Sequence, residues 1–304
     1  MSRGKRRDVR VHGIFNIDKP TGMTSHDVVD AVRKLVRHRQ VGHAGTLDPM
    51  ATGVLVVVVG VATRLVEFMA DHEKVYRFTI RLGEETDTLD AEGQVVERKP
   101  VPPLEDGDIR KVLEGFVGEI EQQVPLYAAV RHRGRRLYEW ARDRVPVEPK
   151  TRRVVIHELT LEAWEPPLLT LRVRCSAGTY VRSLARDVAR ALGTVGHVVE
   201  LRRLASGPFR VEEAVPLAQL LESPDWQAYL LPVDAGIQHI PRVDLSDAQW
   251  QRVRHGQPLT DVPPPEGEEM WRRAYVAGRL VAMLRWDPEK ALWRPRKVLM
   301  YTSG

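Results

Sequence analysis

One carboxylate stands out because of the loop that carries it. Asp48 lies within the glycine-punctuated stretch 42–53, and Pro49 follows it directly. A proline disfavours helical geometry at the residue before it, so we expect Asp48 in a shaped loop. A carboxylate in such a loop can act as a nucleophile or as a general base. Most loop aspartates only form turns or cap helices, and the loop alone leaves that structural role open for Asp48.

A second residue, Arg182, is a candidate partner for this carboxylate. The pattern after Thr179 predicts a helix whose buried stripe includes Val181 and Leu184, which places Arg182 in the first turn. A cation at that end of a helix is disfavoured by roughly 0.3–1 kcal/mol, because the helix dipole is positive there. We hypothesise that Arg182 pairs with Asp48, keeps it ionised and orients it. The alternative is an ordinary arginine on the surface.

The sequence lacks the motifs of several other catalytic classes. The ten histidines include no HExxH pair, and neither a P-loop nor a dinucleotide-binding glycine pattern is present. The acidic stretch 87–93 has Leu89 where a calcium loop needs an oxygen ligand. Cys175 is the only cysteine, which excludes an internal disulfide and a cysteine-based zinc site. We therefore expect neither a metal nor a cofactor.

Predicted strands and helices must position these residues. The apolar run 54–59 indicates a buried strand directly after the aspartate loop. Residues 75–82 alternate between apolar and polar positions, and Tyr76 falls on the apolar face of that strand. Thr24 and Asp27 form the capping-box pattern that begins a helix. Further strands are predicted over residues 11–18, 94–97 and 169–175, and further helices over residues 64–69 and 106–117.

The charge of the chain suggests an anionic partner. Its 304 residues include 46 Lys and Arg against 41 Asp and Glu, which gives a formal net charge of +5. Residues 122–150 combine arginines with tyrosine and tryptophan, a composition typical of nucleic-acid surfaces, although an ordinary solvated helical hairpin fits it equally well. No apolar run approaches membrane-spanning length, and no signal-peptide pattern follows the basic N-terminus. Together with the single cysteine, this favours a cytoplasmic protein without membrane contact.

The C-terminal part of the chain differs from the rest. Beyond the proline-rich stretch 232–241, short strands predicted over residues 268–276, 279–286 and 296–300 indicate a small β-barrel-like domain. We expect an α/β (α+β) fold, in which a mixed, mainly antiparallel sheet flanked by helices precedes this domain. The candidate catalytic cleft should cross the middle of that sheet.

Several motifs in register make the sequence similar to a known family. The C-terminal domain resembles the PUA RNA-binding module, and the remainder resembles the TruB-type tRNA pseudouridine synthases. The second resemblance is carried, in this order, by residues 19–25, residues 42–53, Tyr76, residues 83–93, residues 175–184 and residues 201–204. Any one of these motifs would be weak alone, whereas their common order and spacing make a chance match very improbable.

The resemblance implies conversion of a uridine to pseudouridine in the T loop of tRNA, at position 55, without a cofactor. The N1–C1′ bond breaks, the base rotates, and C5 joins C1′. Asp48 would be the catalytic aspartate, Tyr76 would stack on the flipped base, and Arg182 would be the partner of Asp48. The resemblance leaves open whether Asp48 attacks C1′, adds to C6 or abstracts a proton. Substrate contacts are implied for Lys19, His43, Asp90, Tyr180 and Leu201.

The resemblance also implies a domain organisation and a partner. Residues 1–236 would form the catalytic domain, with residues 122–150 as a thumb insertion that closes over RNA, and residues 237–304 would form the PUA-like RNA-binding domain. Within the thumb, residues 128–131 depart from the usual family pattern, which concerns the local RNA contacts. The partner would be the T-stem loop of tRNA, bound by a monomer. An RNA-binding chaperone with a vestigial site, and pseudouridylation of another RNA, are the alternatives.

Overall fold

The computed structural model describes residues 11–125 and 151–301, and between them the backbone of Arg131–His132 and Arg135–Arg136. The predicted thumb segment 122–150 therefore lies mostly outside the described residues. Its first two positions, Gln122 and Gln123, belong to a strand of the main sheet. The two described dipeptides pair with each other as antiparallel strands, which is not the helical arrangement that the sequence left open.

The strands before the C-terminal sheet range from two residues in β8 to fifteen in β10. In chain order, these strands are β1 (Gly13–Lys19), β2 (Val41–His43), β3 (Thr52–Val59), β4 (Lys74–Leu82), β5 (Glu84–Thr86), β6 (Val95–Arg98), β7 (Gly118–Gln123), β8 (Arg131–His132), β9 (Arg135–Arg136), β10 (Thr151–Glu165), β11 (Leu168–Cys175), β12 (Gly196–Ser206), β13 (Phe209–Arg210) and β14 (Val215–Pro216). The α-helices among them are α1 (Ser25–Val36), α2 (Val66–Ala70), α3 (Asp106–Glu114), α4 (Val181–Ala191) and α5 (Leu217–Glu222).

A single mixed sheet organises this part of the chain. Its strand order is β14-β1-β3-β12-β4-β11-β10-β7, with β2 paired to β3 and β13 paired to β12. All pairs are antiparallel except β1 with β14 and β3 with β12. The predicted mixed, mainly antiparallel sheet is therefore confirmed.

The strand that follows the aspartate loop is buried on both faces. Leu55, Val57 and Val59 belong to one apolar cluster, beneath α1 and α4, whereas Val54 and Val56 belong to a second cluster on the opposite face. This double burial explains why β3 reads as a continuous apolar run instead of an alternating one. The loop that carries the candidate carboxylate is thus anchored to one of the best-buried strands of the sheet.

Local sequence signals account for the neighbouring elements. Thr24 caps α1 and forms the predicted capping box with Asp27, whose backbone N–H donates to the Thr24 hydroxyl at 3.1 Å. Tyr76 and Phe78 lie on the buried face of β4, whereas Arg77 is exposed, as the alternation predicts. The predicted helix at residues 64–69 is a 3₁₀ turn, Gly60–Leu65, that continues into α2.

A second, smaller sheet forms the C-terminal part. It contains β15 (Arg242–Asp244), β16 (Trp271–Val276), β17 (Arg279–Asp287) and β18 (Leu292–Val298) in that order, and α6 (Asp247–Arg254) packs on it. The prediction of a strand at 296–300 was wrong in its bounds. β18 starts earlier because Leu292 and Trp293 already pair with the end of β17, opposite Asp287 and Trp286.

The linker to this sheet is held by a half-buried carboxylate, Asp234. Asp234 accepts hydrogen bonds from Arg273, at 3.0 Å, and from the Tyr275 hydroxyl. The same guanidinium donates to the carbonyl oxygen of Ile240 at 2.7 Å. These contacts hold residues 232–241 against β16, so the chain between the two sheets is fixed at several points. The boundary at residues 236 and 237 stays a prediction.

Gly53 offers a test of how tightly the aspartate loop is built. Its φ is +97°, and a Cβ there would lie 2.2 Å from the carbonyl oxygen of Arg203 in β12. We expect Gly53→Ala to lower the free energy of unfolding by about 2–4 kcal/mol, because overpacking and left-handed strain add. Urea denaturation followed by circular dichroism measures this.

Gly22→Ala is the matched control. Gly22 also has a positive φ, +81°, but a Cβ added there would meet no atom within 4 Å. The free energy of unfolding of the control should fall only by the cost of a left-handed backbone at a non-glycine residue, about 1–2 kcal/mol. Equal losses in the two variants would show that the contact between the loop and β12 contributes nothing.

Candidate active site

Asp48 lies in the connection between β2 and β3, and the start of α1 holds that connection from one side. The Ser25 hydroxyl accepts a hydrogen bond from the backbone N–H of Leu47 at 2.8 Å and donates to the Leu47 carbonyl oxygen at 3.1 Å. The backbone N–H of Ala51 donates to the Asp48 carbonyl oxygen at 3.1 Å, which closes the turn. The backbone around the carboxylate is therefore pinned on both sides.

A fully buried lysine supports the same loop from below. Lys19 is 0% exposed, and its ammonium donates to the carbonyl oxygens of Pro20, Met23 and Pro49 at 2.8, 2.6 and 3.2 Å. An ammonium has three donors, and all three are used here. Lys19 was expected to contact the substrate. The structure places it beneath the loop, with none of its surface exposed, and its predicted contact with the substrate stays a prediction.

A buried arginine holds the loop from the sheet side. Arg203 in β12 is 1% exposed, and its guanidinium donates to the carbonyl oxygens of Gly45, Thr46 and Val54 at 3.1, 3.2 and 2.6 Å. These acceptors flank Asp48 on both sides in sequence. Sequence reasoning missed this residue, although it lies inside the recognised stretch 201–204, directly after Arg202.

The predicted ion pair between Asp48 and Arg182 is confirmed. Arg182 Nε lies 3.0 Å from Asp48 Oδ2, and Arg182 Nη1 lies 3.0 Å from Asp90 Oδ2. Nη1 also donates to the Thr88 carbonyl oxygen at 3.0 Å. The Arg182 side chain is only 6% exposed. The two carboxylates compensate for the unfavourable position of a cation in the first turn of α4.

Asp90 belongs to the support of this pair. It is 3% exposed and accepts hydrogen bonds from the Thr88 hydroxyl at 2.5 Å and from the Glu92 backbone N–H at 3.1 Å. The sequence predicted a substrate contact for Asp90. The structure instead places its carboxylate behind Arg182, outside the residues that line the cavity.

The surroundings of Asp48 have opposing effects on its pKa. Burial raises the pKa of Asp48 above its ordinary value, because a carboxylate loses hydration there. The Arg182 guanidinium counteracts this rise, and the Asp90 carboxylate adds to it. The carboxyl group nevertheless keeps 35% of its side-chain surface exposed, which leaves it accessible to a reactant.

The three predicted catalytic residues border one cavity of about 370 Å³. Asp48 is the only carboxylate among the described residues that line it, and Tyr76 and Arg182 form other parts of its wall. Two of the predicted substrate contacts, Tyr180 and Leu201, also line this cavity. The full lining comprises Gly45, Thr46, Leu47, Asp48, Ala70, Lys74, Tyr76, Ser176, Gly178, Thr179, Tyr180, Val181, Arg182, Leu201 and Arg203.

His43 ends β2, close in the chain to the cavity-lining residues Gly45 and Thr46, but it is not part of the wall. It is half-buried, and burial lowers its pKa, so the imidazole is neutral at neutral pH. Its predicted contact with the RNA loop stays a prediction.

Tyr76 and Tyr180 present rings to the cavity from rigid backbone. Tyr76 lies opposite Arg203 in the ladder between β4 and β12, and burial raises the pKa of its hydroxyl, which stays protonated at neutral pH. Tyr180 directly precedes α4. Its backbone N–H and carbonyl oxygen bind the side-chain amide of Gln122 at 2.7 and 3.0 Å. Sequence reasoning missed Gln122, which is 0% exposed at the edge strand β7.

The described part of the chain contains no cluster of side chains that could bind a metal ion. Across residues 11–125 and 151–301, no group of three His, Cys, Asp or Glu side chains is arranged to hold an ion. In the same ranges, no helix is long and apolar enough to cross a bilayer.

The fold is that of the pseudouridine synthases. The solved Cbf5-Nop10-Gar1 complex contains a chain that superposes with a TM-score of 0.73 at 25% identity, over 97% of this chain and 88% of that one. A chain of the H/ACA RNP bound to a substrate RNA containing 2′-deoxyuridine superposes with a TM-score of 0.70, also at 25% identity, over 98% and 88%.

The sequence places the protein in one family within this class. Residues 33–181 match the N-terminal domain of the TruB family pseudouridylate synthases, and residues 182–238 match the C-terminal domain of tRNA pseudouridylate synthase B. The tRNA pseudouridine synthase B of Chromohalobacter salexigens is 44% identical over 83% of each chain. That of Aromatoleum aromaticum is 42% identical over 95% of this chain and 93% of its own. The chain belongs to the TruB family of pseudouridylate synthases.

The charges around Asp48 predict opposite effects of two substitutions. Arg182→Met removes the cation that favours ionisation, so the pKa of Asp48 should rise further. Asp90→Asn removes a like charge, so the pKa of Asp48 should fall. Carbon-13 NMR titration of labelled aspartates, with Asp48→Asn to assign the signal, measures both shifts.

Arg182→Lys is the control that keeps the positive charge but removes the planar guanidinium. It should leave the pKa of Asp48 nearer to the wild-type value than Arg182→Met does, because a cation remains. Shifts of the same sign in the methionine and asparagine variants would contradict the electrostatic assignment.

Proposed function

We infer that the protein isomerises a uridine of tRNA to pseudouridine. The observation that carries this inference is the Asp48–Arg182 ion pair on the wall of a cavity that Tyr76 also lines. Curated relatives that align over more than four-fifths of the chain bear the name tRNA pseudouridine synthase B. Membership in the TruB family supports the same activity.

The cavity suits a nucleotide that has been rotated out of its stack. A uridine inside folded RNA is unreachable, and extrusion costs a few kcal/mol. The rings of Tyr76 and Tyr180 and the side chain of Leu201 offer apolar surface to a planar base. Stacking on such surface offsets part of the extrusion energy.

Asp48 is the residue that begins the chemistry. The reaction breaks N1–C1′, forms C5–C1′, releases the proton of C5 and places a proton on N1, so the product is an isomer of the substrate. Arg182 holds Asp48 in place and favours its ionised form, which attack at C1′, addition at C6 and proton abstraction all require. The Tyr76 hydroxyl stays protonated at neutral pH, because burial raises its pKa, and its ring packs against the base.

The substrate site within tRNA is the finer part of this proposal. We assign the activity to the T loop, at position 55, with the T-stem loop bound by a monomer in the cytoplasm. The net charge of +5 suits an anionic partner. We assign residues 1–236 to the catalytic domain, residues 122–150 to a thumb that closes over RNA, and residues 237–304 to a PUA-like RNA-binding domain. Predicted contacts by His43, Tyr180 and Leu201 belong to the same proposal.

Asp48→Asn tests the catalytic assignment. The variant keeps the size of the side chain but loses its charge, so turnover should fall by at least about 10²–10⁴-fold while tRNA binding persists. Tritium release from tRNA labelled at C5 of uridine measures turnover, and filter binding measures affinity. Asp225→Asn, at an exposed position outside the cavity, is the control and should keep wild-type turnover.

Two outcomes would contradict the proposal. Turnover that survives in Asp48→Asn would remove Asp48 from its role, and wild-type protein that binds tRNA without releasing tritium would favour an RNA chaperone. Mapping pseudouridine in total RNA with and without the protein tests position 55 and any other RNA substrate.

A further inference from the structure

One cation on the cavity wall has no part in the chemistry above. Lys74 is the first residue of β4 and lies two positions before Tyr76, so both side chains point to the same face of the strand. Lys74 is 6% exposed, and it lines the cavity that holds Asp48. Lysine is almost never buried to this extent unless it is paired.

The ammonium of Lys74 is held in place by backbone alone. Its Nζ donates to the carbonyl oxygens of Ala70, at 2.7 Å, and of His72. Among the described residues, no carboxylate lies within 4.0 Å of it. Two carbonyl acceptors use two of the three ammonium donors, which leaves one donor for the cavity.

Lys19 shows what a purely structural lysine looks like in this protein. It too is buried, and no carboxylate of the described ranges lies within 4.0 Å of it. Its three donors, however, all end on carbonyl oxygens, and it lies outside the cavity wall. Lys74 differs in both respects, because it has one donor fewer engaged and borders the space that a substrate would enter.

The buried ammonium of Lys74 would be stabilised by a nearby anion. Burial lowers the pKa of Lys74 to about 8; the Arg203 guanidinium adds to the lowering, whereas Cys175 and Asp71 oppose it. Asp48, the carboxylate of the cavity, is already engaged with Arg182. A buried cation without a counter-ion is unfavourable, and an anion that enters the cavity would relieve this.

We propose that Lys74 binds a phosphate oxygen of the RNA backbone adjoining the extruded uridine. The inference rests on the proposed function, since a uridine that enters the cavity brings its own flanking phosphates with it. The ammonium suits this role, because it acts as a compact point charge and needs no fixed plane of approach. A carbonyl oxygen of the uracil ring is the other acceptor that could reach Lys74, and the experiment separates the two.

The first measurement compares Lys74→Met with Lys74→Arg. The dissociation constant of tRNA is measured from about 50 to 300 mM KCl on wild type and both variants. Lys74→Met should weaken binding by about tenfold, as for a charge-assisted hydrogen bond. It should also reduce the slope of log K against log salt by about 0.7–0.9, the release of one counter-ion. Lys74→Arg should keep most of that slope, because it keeps the charge.

The second measurement identifies the acceptor. A synthetic T-stem-loop hairpin carries a neutral methylphosphonate in place of the phosphate on the 5′ or the 3′ side of the target uridine. One of these replacements should weaken wild-type binding by about tenfold and leave the affinity of Lys74→Met within about twofold. The two changes would then be non-additive, as expected when they remove the same contact.

Lys111→Met, on the exposed side of α3, controls for the loss of any positive charge. Cooperative urea unfolding checks that each variant is folded, and Lys74→Arg carries the test if Lys74→Met does not fold. Equal effects of the methylphosphonates on wild type and Lys74→Met, or unchanged binding by Lys74→Met, would overturn the proposal. Wild-type turnover of the unmodified hairpin is scored separately, so failure of the proposed function is distinguishable.

Discussion

The site depends on one buried guanidinium held between two carboxylates. Arg182 contributes the single positive charge of a trio whose anions, Asp48 and Asp90, come from two other parts of the chain. The trio carries a net negative charge, and only Asp48 presents that charge to the cavity. A cation in the first turn of a helix is tolerated because these two anions lie against it. The helix, the aspartate loop and the loop after β5 must therefore all fold correctly before the carboxylate is aimed.

Buried cations also build the loop on which Asp48 sits. Lys19 and Arg203 donate to carbonyl oxygens of residues close to Asp48 in the chain, and each brings several donors to one point. A neutral side-chain amide could satisfy two carbonyl oxygens at most, but each of these cations satisfies three and also lowers the energy of a nearby anion. Lys19 indeed lowers the pKa of Asp48, against the effect of burial. The scaffold of the loop is thus part of its electrostatics.

The sequence predicted those features that have a local cause. The capping box of α1, the alternation in β4 and the burial of β3 follow from short-range patterns, and the Asp48–Arg182 pair followed from the helix dipole. The strands β7, β10 and β12 were missed, and β12 in particular is defined by pairing with β3 and β4, which are distant in the chain. Arg203 was missed for a related reason. Arg202 and Arg203 are adjacent and equally charged, and only the register of β12 sends Arg202 to Asp18 and Arg203 beneath the aspartate loop.

The cavity wall carries charges of both signs. Asp48 carries a negative charge, which is paired with Arg182. Lys74 and Arg203 line the same cavity and carry positive charges, and no carboxylate of the described residues pairs with them. A nucleotide is electrically asymmetric too, because its base and ribose are uncharged and its phosphodiester is anionic. Charges of opposite sign held apart by rigid backbone resist collapse onto each other, because each is fixed by its own hydrogen bonds. A phosphodiester near Asp48 would be repelled, whereas one near Lys74 or Arg203 would be attracted, and this difference favours one orientation of a bound nucleotide.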